Sequence, residues 1–123
     1  MTAIDINFTN LRVFLNCIYE LKKGIRQMAL FTTSRRHRDF VTERLESQGL
    51  DYVIQDVNEH NMNVYFGAKE CIEVIRIIID RPLHEISPEA DFMLGAMLGY
   101  DIRVQCRRFC ERKSPAVRDS ASG

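Results

Sequence analysis

The chain has 123 residues, 46% of them hydrophobic, with 17 Lys plus Arg against 17 Asp plus Glu. That length suits a single domain with a real core, and the hydrophobic content argues against global disorder. The zero net charge supplies neither the basic surplus that nucleic acid asks for nor the acidic surplus of a solvating tail.

No signal peptide is expected, because the opening carries Asp5 and Asn7 and lacks a basic stretch followed by an apolar run. No bilayer-spanning segment is expected either, since the best apolar run, Val74 to Ile79, is broken by Arg76. The expected location is the cytoplasm. The four cysteines are too few for a disulfide scaffold and should be thiols there.

The first helix is expected from Leu11 to Lys23, with Leu11, Phe14, Leu15, Ile18 and Leu21 on one face. Thr9 or Asn10 would cap its start, and Gly24 would end it. A strand follows at Gln27 to Thr32, apolar without alternation and so covered on both faces. Thr33 or Ser34 then opens a second helix to Gln48, with His37, Val41 and Leu45 inward, Phe40 beside them and Gly49 closing it.

Two strands, Tyr52 to Val57 and Met62 to Phe66, flank the polar hairpin loop Asn58-Glu59-His60-Asn61. In the second, Met62, Val64 and Phe66 point inward and alternate with the more polar Asn63 and Tyr65. A third helix, Ala68 to Asp80, has an apolar arc wide enough to need cover on more than one side. Pro82 stops it.

Ser87-Pro88-Glu89 is a strong helix start, combining a capping hydroxyl, a proline whose missing N–H costs nothing there, and an acid at the positive end of the dipole. This fourth helix should reach Leu98 with Phe92, Met93, Ala96 and Met97 inward, and Gly99 ends it. Asp101 caps a fifth helix, Ile102 to Arg112, with Ile102, Cys106 and Phe109 on its core face. The domain should close near residue 113, and the tail, 114–123, has nothing to bury and is expected to be disordered.

The expected fold class is α/β in the α+β sense. A small three-stranded mixed sheet forms an incomplete ferredoxin-like β-α-β-β-α unit, with an N-terminal helix and two C-terminal helices. The first two strands would be parallel, with the third between them. The strand Met28 to Phe31 would lie at an edge, where open backbone groups recruit another chain. Together with the over-apolar third helix and the methionines of the fourth, this predicts a homodimer. The alternative is a monomer whose extra helices cover every apolar surface.

The best lead to a ligand is Thr32-Thr33-Ser34-Arg35-Arg36-His37-Arg38, which puts three arginines in a helix's first turn, where cations oppose the dipole. An anion would resolve that conflict, held by Thr33, Ser34, Arg35 and Arg36 through hydroxyls, backbone N–H groups and a guanidinium fork. The plainer alternative is a solvated face with Arg35 paired to Asp39. No glycine-rich loop accompanies the segment, so it is no nucleotide fingerprint.

Cys106 and Cys110 share a helix face, but their spacing departs from zinc-site spacing and reads as structural; no metal or cofactor is expected. Asp56, Glu59 and His60 cluster at the hairpin, where polarity needs no ligand. His37 reads as a half-buried helix residue, and His84 has no obvious partner. The basic cluster Arg103, Arg107, Arg108, Arg112 and Lys113 belongs at a helix C-terminus on dipole grounds, which makes nucleic acid an improbable partner. No catalytic constellation is seen, so no enzyme is expected.

The run Asp91-Phe92-Met93-Leu94-Gly95-Ala96-Met97-Leu98-Gly99-Tyr100-Asp101, followed by Gln105-Cys106 and Arg108-Phe109, resembles a bacterial family of short proteins known only as a domain of unknown function. Leu30-Phe31-Thr32-Thr33 and Asn61-Met62-Asn63-Val64-Tyr65-Phe66-Gly67 are similar to it as well, so the likeness spans nearly everything but the tail. It implies three strands, five helices and a homodimer, carries no functional residues, and suggests a flavodoxin-type redox protein as partner. The leading expectation is a dimeric, non-enzymatic binding or regulatory module acting through protein–protein contacts. The alternative is a sensor of a small phosphorylated anion at Thr33 to Arg36.

Overall fold

The structure is a computed structural model that describes residues 2–114, with side chains from residue 10 onward. Among these residues the chain forms five α-helices and one three-stranded sheet, an α+β arrangement with an N-terminal helix and two C-terminal helices. The elements are α1 (Thr2–Lys22), β1 (Met28–Ser34), α2 (Arg38–Ser47), β2 (Asp51–Asp56), β3 (Asn61–Gly67), α3 (Lys69–Ile78), α4 (Pro88–Met97) and α5 (Ile102–Lys113). Short 3-10 turns lie at Arg35–His37 and Leu83–Glu85. The chain divides into two compact units with the boundary between Val74 and Ile75.

The first unit holds the sheet, in the order β1-β3-β2. β1 and β2 run the same way, and β3 lies between them, antiparallel to both, so every hydrogen-bonded ladder is antiparallel and the sheet is antiparallel where a mixed one was expected. Phe31 and Ile54 both stand opposite Val64, which aligns Ala29, Phe31, Ile54, Val64 and Phe66 on one sheet face. Phe14 of α1 sits on that face, stacked on Phe31 at 5.2 Å between centroids and edge-on to Phe66 at 5.4 Å. Ile18 of α1 and Val41 and Leu45 of α2 complete the buried cluster.

α1 begins well before the expected start and runs through Thr9 and Asn10, so the helix does not start at either. Threonine and asparagine cost only a few tenths of a kcal/mol inside a helix, roughly 0.7 at most, so an established helix extends through them. Leu15 points away from the core and is exposed. The expected stop at Gly24 is found, at φ +77°, with Ile25 N–H donating to Glu20 O. Gly49 ends α2 in the same way at φ +68°, with Leu50 N–H donating to Leu45 O and the Leu50 side chain against the core.

β3 departs from the expected alternation, because Asn63 and Tyr65 are buried along with Met62, Val64 and Phe66. A central strand has neighbours on both edges and is covered on both faces, so its polar groups must pair internally. They do: Thr32 Oγ1 donates to Asn63 Oδ1 at 2.6 Å, and Tyr65 O–H and Asn63 Nδ2 both donate to Gln55 Oε1, at 2.9 and 3.3 Å. Burial pushes the Tyr65 hydroxyl up to about 12.

In the second unit Ser87 Oγ accepts from Ala90 N–H at 3.0 Å and Asp101 Oδ1 from Arg103 N–H at 2.9 Å, so both expected caps are present. The inward faces differ from expectation. In α4 the buried residues are Leu94 and Gly95, while Met93 and Ala96 are exposed. In α5 the buried residue is Gln105, while Ile102 and Cys106 are exposed. A Cβ on Gly95 would overlap the Gln105 side chain, so this glycine opens the notch that draws α5 in by its polar stripe. Ser114 ends α5, its N–H and hydroxyl both donating to Cys110 O, and the rest of the expected tail lies outside the described residues.

Candidate functional site

The segment Thr33 to Arg36 is not the first turn of an α-helix. Thr33 and Ser34 are the last residues of β1, Arg35 and Arg36 open the 3-10 turn, and α2 starts only at Arg38. Strand alternation then separates the expected ligands. Thr33 lies on the core-side face and is buried, with its hydroxyl unpartnered, whereas Ser34 belongs to the opposite face. Ser34 Oγ is engaged by Arg36 N–H at 3.4 Å.

Arg35 turns toward the β2–β3 hairpin. Its backbone N–H donates to His60 O at 2.7 Å, its Nη1 donates to Glu59 O at 3.3 Å, and its Nε lies 3.5 Å from Asp56 Oδ1. The pairing is with Asp56 across the sheet, not with Asp39 one helical turn on. Arg36 and Arg38 are exposed, and neither makes an ion pair among the described residues. Burial and the neighbouring Arg36 push the His37 imidazole below its ordinary value. The turn therefore offers one uncommitted arginine of the expected pair, Arg36.

At the hairpin, Asn58 Oδ1 accepts from the N–H groups of His60 and Asn61 at 2.8 and 2.9 Å. This side-chain turn shapes the loop that receives Arg35. Asp56, Glu59 and His60 do not converge as metal ligands, and among the described residues no three such groups do.

A different open surface lies elsewhere in the first unit. Arg35 N–H bonds His60 O and Ala68 N–H bonds Gln27 O, so the odd-numbered residues of β1 face β3. The N–H and C=O groups of Met28, Leu30, Thr32 and Ser34 then point along the other edge, where no described strand pairs with them. This edge is seven residues long and has no proline, lysine or bulge to guard it. α1 packs against β1, and its outer side carries an open groove lined by Arg12, Val13, Leu15, Asn16 and Tyr19, with Tyr19 57% exposed. The sequence signal for this surface was present in Val13 and Tyr19, apolar residues off the stripe that faces the core.

In the second unit, α5 is held to α4 by charge. Arg108 grips Asp91 through two hydrogen bonds of 2.9 and 3.2 Å, Arg112 Nη1 lies 3.6 Å from the same carboxylate, and Arg112 Nη2 donates to Ile86 O at 2.8 Å. Lys113 Nζ reaches Glu89 Oε2 at 2.7 Å. Phe92 meets Phe109 edge-on at 5.8 Å. Three of the five cations in the expected basic cluster are thus committed to holding the hairpin.

These features define a small α+β protein with an incomplete ferredoxin-like sheet, an open edge strand, and no helix among the described residues long and apolar enough to cross a membrane. The chain belongs to the family described as Protein of unknown function (DUF2023), which matches residues 12–112. No curated protein matches it.

Proposed function

We propose that this protein is a homodimeric, non-enzymatic binding or regulatory module that works through protein–protein contacts. The observation that carries this reading is the unguarded edge of β1 beside the exposed apolar side of α1. An edge of this length left open is an aggregation hazard, and pairing with a second copy across a two-fold axis closes it. Antiparallel β1–β1′ pairing would satisfy the outward groups of Met28, Leu30, Thr32 and Ser34 and give a continuous six-stranded sheet. Val13, Leu15 and Tyr19 would supply apolar contact alongside. A cytoplasmic location fits this reading, because the four cysteines are all free thiols.

The test is the solution mass of the purified chain by light scattering or sedimentation. The wild type should be a dimer at micromolar concentration. Tyr19→Glu combined with Val13→Glu should yield a folded monomer, because both side chains are exposed and neither belongs to the buried core. A wild type that is monomeric at all concentrations would end the proposal.

A second reading keeps a small anion at the β1–α2 turn, favoured by the uncommitted, exposed Arg36. It requires that inorganic phosphate raise the melting temperature in proportion to concentration and that Arg36→Ala remove the effect. A flat response removes this reading.

A further inference from the structure

α5 carries a repeat in Arg103-Val104-Gln105-Cys106-Arg107-Arg108-Phe109-Cys110, Arg-x-x-Cys twice over, whose Arg103, Arg107 and two cysteines are exposed. Residues four apart share a helix face, so Cys106 and Cys110 form one stripe and Arg103 and Arg107 the next. Each cysteine therefore has an arginine three residues before it as a surface neighbour. Both thiols are free and exposed. Both line a hollow of about 230 Å³ whose walls, Phe92, Cys106, Phe109 and Cys110, expose no polar atom. Arg107 makes no ion pair among the described residues, and Arg103, 86% exposed, lies only loosely by Asp101 at 3.8 Å.

Three chemistries compete for such a pair, and geometry separates them. A disulfide needs its Cβ atoms roughly 3.5–4.5 Å apart. Helical neighbours at this spacing hold them at about 5–6 Å, so a bond would have to distort α5. A zinc site needs four ligands, and no third His, Cys, Asp or Glu joins the pair among the described residues. A linear two-coordinate ion needs its sulfurs two metal–thiolate bonds apart, a wider span than the direct S–S bond of a disulfide, and neighbours one helical turn apart can supply it without distorting α5. Two thiolates in an apolar setting, with no oxygen or nitrogen donor, select a soft cation.

We propose that Cys106 and Cys110 form a two-thiolate site for a soft, two-coordinate cation, Cu(I). Binding breaks two S–H bonds, forms two Cu–S bonds and releases two protons, with no change in oxidation state. The complex carries one negative charge, which the adjacent Arg107 and Arg103 guanidinium groups offset. The Phe92 and Phe109 rings line the hollow beside it and bring no oxygen or nitrogen donor to the ion. The site rests on α5 and its contact with α4, and does not depend on the dimer.

The test uses the reduced full-length chain under anaerobic conditions, titrated with Cu(I) against a chromogenic Cu(I) chelator. One Cu(I) should bind per chain, with two sulfur neighbours and no oxygen or nitrogen in the X-ray absorption spectrum. Cys106→Ser and Cys110→Ser should each weaken binding beyond the roughly 10–100-fold that losing an outer-shell partner costs. Arg107→Ala should weaken it severalfold, more at low salt than at high. Cys17→Ser with Cys71→Ser should leave it unchanged, which would exclude the half-buried thiols as ligands. Either single α5 variant binding as wild type does, or a stoichiometry of one Cu(I) shared by two chains, would overturn the site.

Discussion

α1 and α5 carry similar sequence patterns and meet opposite fates. Both have apolar residues at helical spacing, and both invite the expectation that the apolar stripe faces inward. α1 obeys it: Phe14 and Ile18 are buried, with Phe14 against three other phenylalanines. α5 reverses it: Gln105 is buried and Arg108 and Arg112 fasten to Asp91, while Ile102 is 52% exposed. The difference lies in the receiving surface. α1 docks on a sheet face of Ala29, Phe31, Val64 and Phe66, which offers only apolar contact. α4 offers a glycine notch at Gly95 and a carboxylate at Asp91, so the polar stripe of α5 matches it better. Periodicity tells which stripe is apolar; the neighbour decides which stripe is covered.

The largest test of this contrast is a pair of truncations read by urea unfolding. Phe14→Ala should cost about 3–5 kcal/mol, since it empties a fully buried aromatic site. Ile102→Ala should stay within about 0.5 kcal/mol of wild type. Equal losses would mean that Ile102 is buried in solution, and the contrast would fail.

The next effect is alkaline and belongs to the sheet. The Tyr65 hydroxyl is raised to about 12, whereas an unfolded tyrosine titrates near 10. Below pH 10 both states hold the proton and the contribution is complete. Between pH 10 and 12 the unfolded state loses its proton first, so stability falls with rising pH, by about 2–3 kcal/mol in all. Tyr65→Phe should remove this part of the pH dependence, measured as the difference between the two unfolding profiles. Superimposable profiles would show that Tyr65 ionises freely in the folded protein.

The smallest effect concerns the polar contact between α4 and α5. Asp91→Asn weakens the two-pronged Arg108 contact and the approach of Arg112, and should cost about 1–2 kcal/mol. Much of that loss should also appear when wild type is measured in high salt, because Arg108 is half exposed. A loss insensitive to salt would point instead to packing as what holds the hairpin.

Much of the fold was legible because local chemistry is stated in few residues. Ser87-Pro88 and Asp101 start helices, and Gly24, Gly49 and Gly99 end them at positive φ. The polar run before Asn61 marks the hairpin, and the β-α-β-β-α order anticipated β3 lying between its two parallel neighbours. The candidate site was legible only as a composition. Thr33 to Arg36 reads as one cluster along the chain, but strand alternation places Thr33 and Ser34 on opposite faces, and a carboxylate on β2 holds Arg35.

The sequence by itself determined where α1, α2 and α4 end and where α4 and α5 begin, because caps, glycines and prolines act over three or four residues. It also determined that β1 is apolar enough to be dangerous at an edge. Only the tertiary structure decided that β3 is buried on both faces, that Arg35 belongs to the hairpin, and that α5 turns Arg108 and Arg112 toward Asp91 and its thiols out. Those outcomes depend on residues far apart in sequence, Arg35 with Asp56 and Asp91 with Arg108, whose meeting no local pattern encodes.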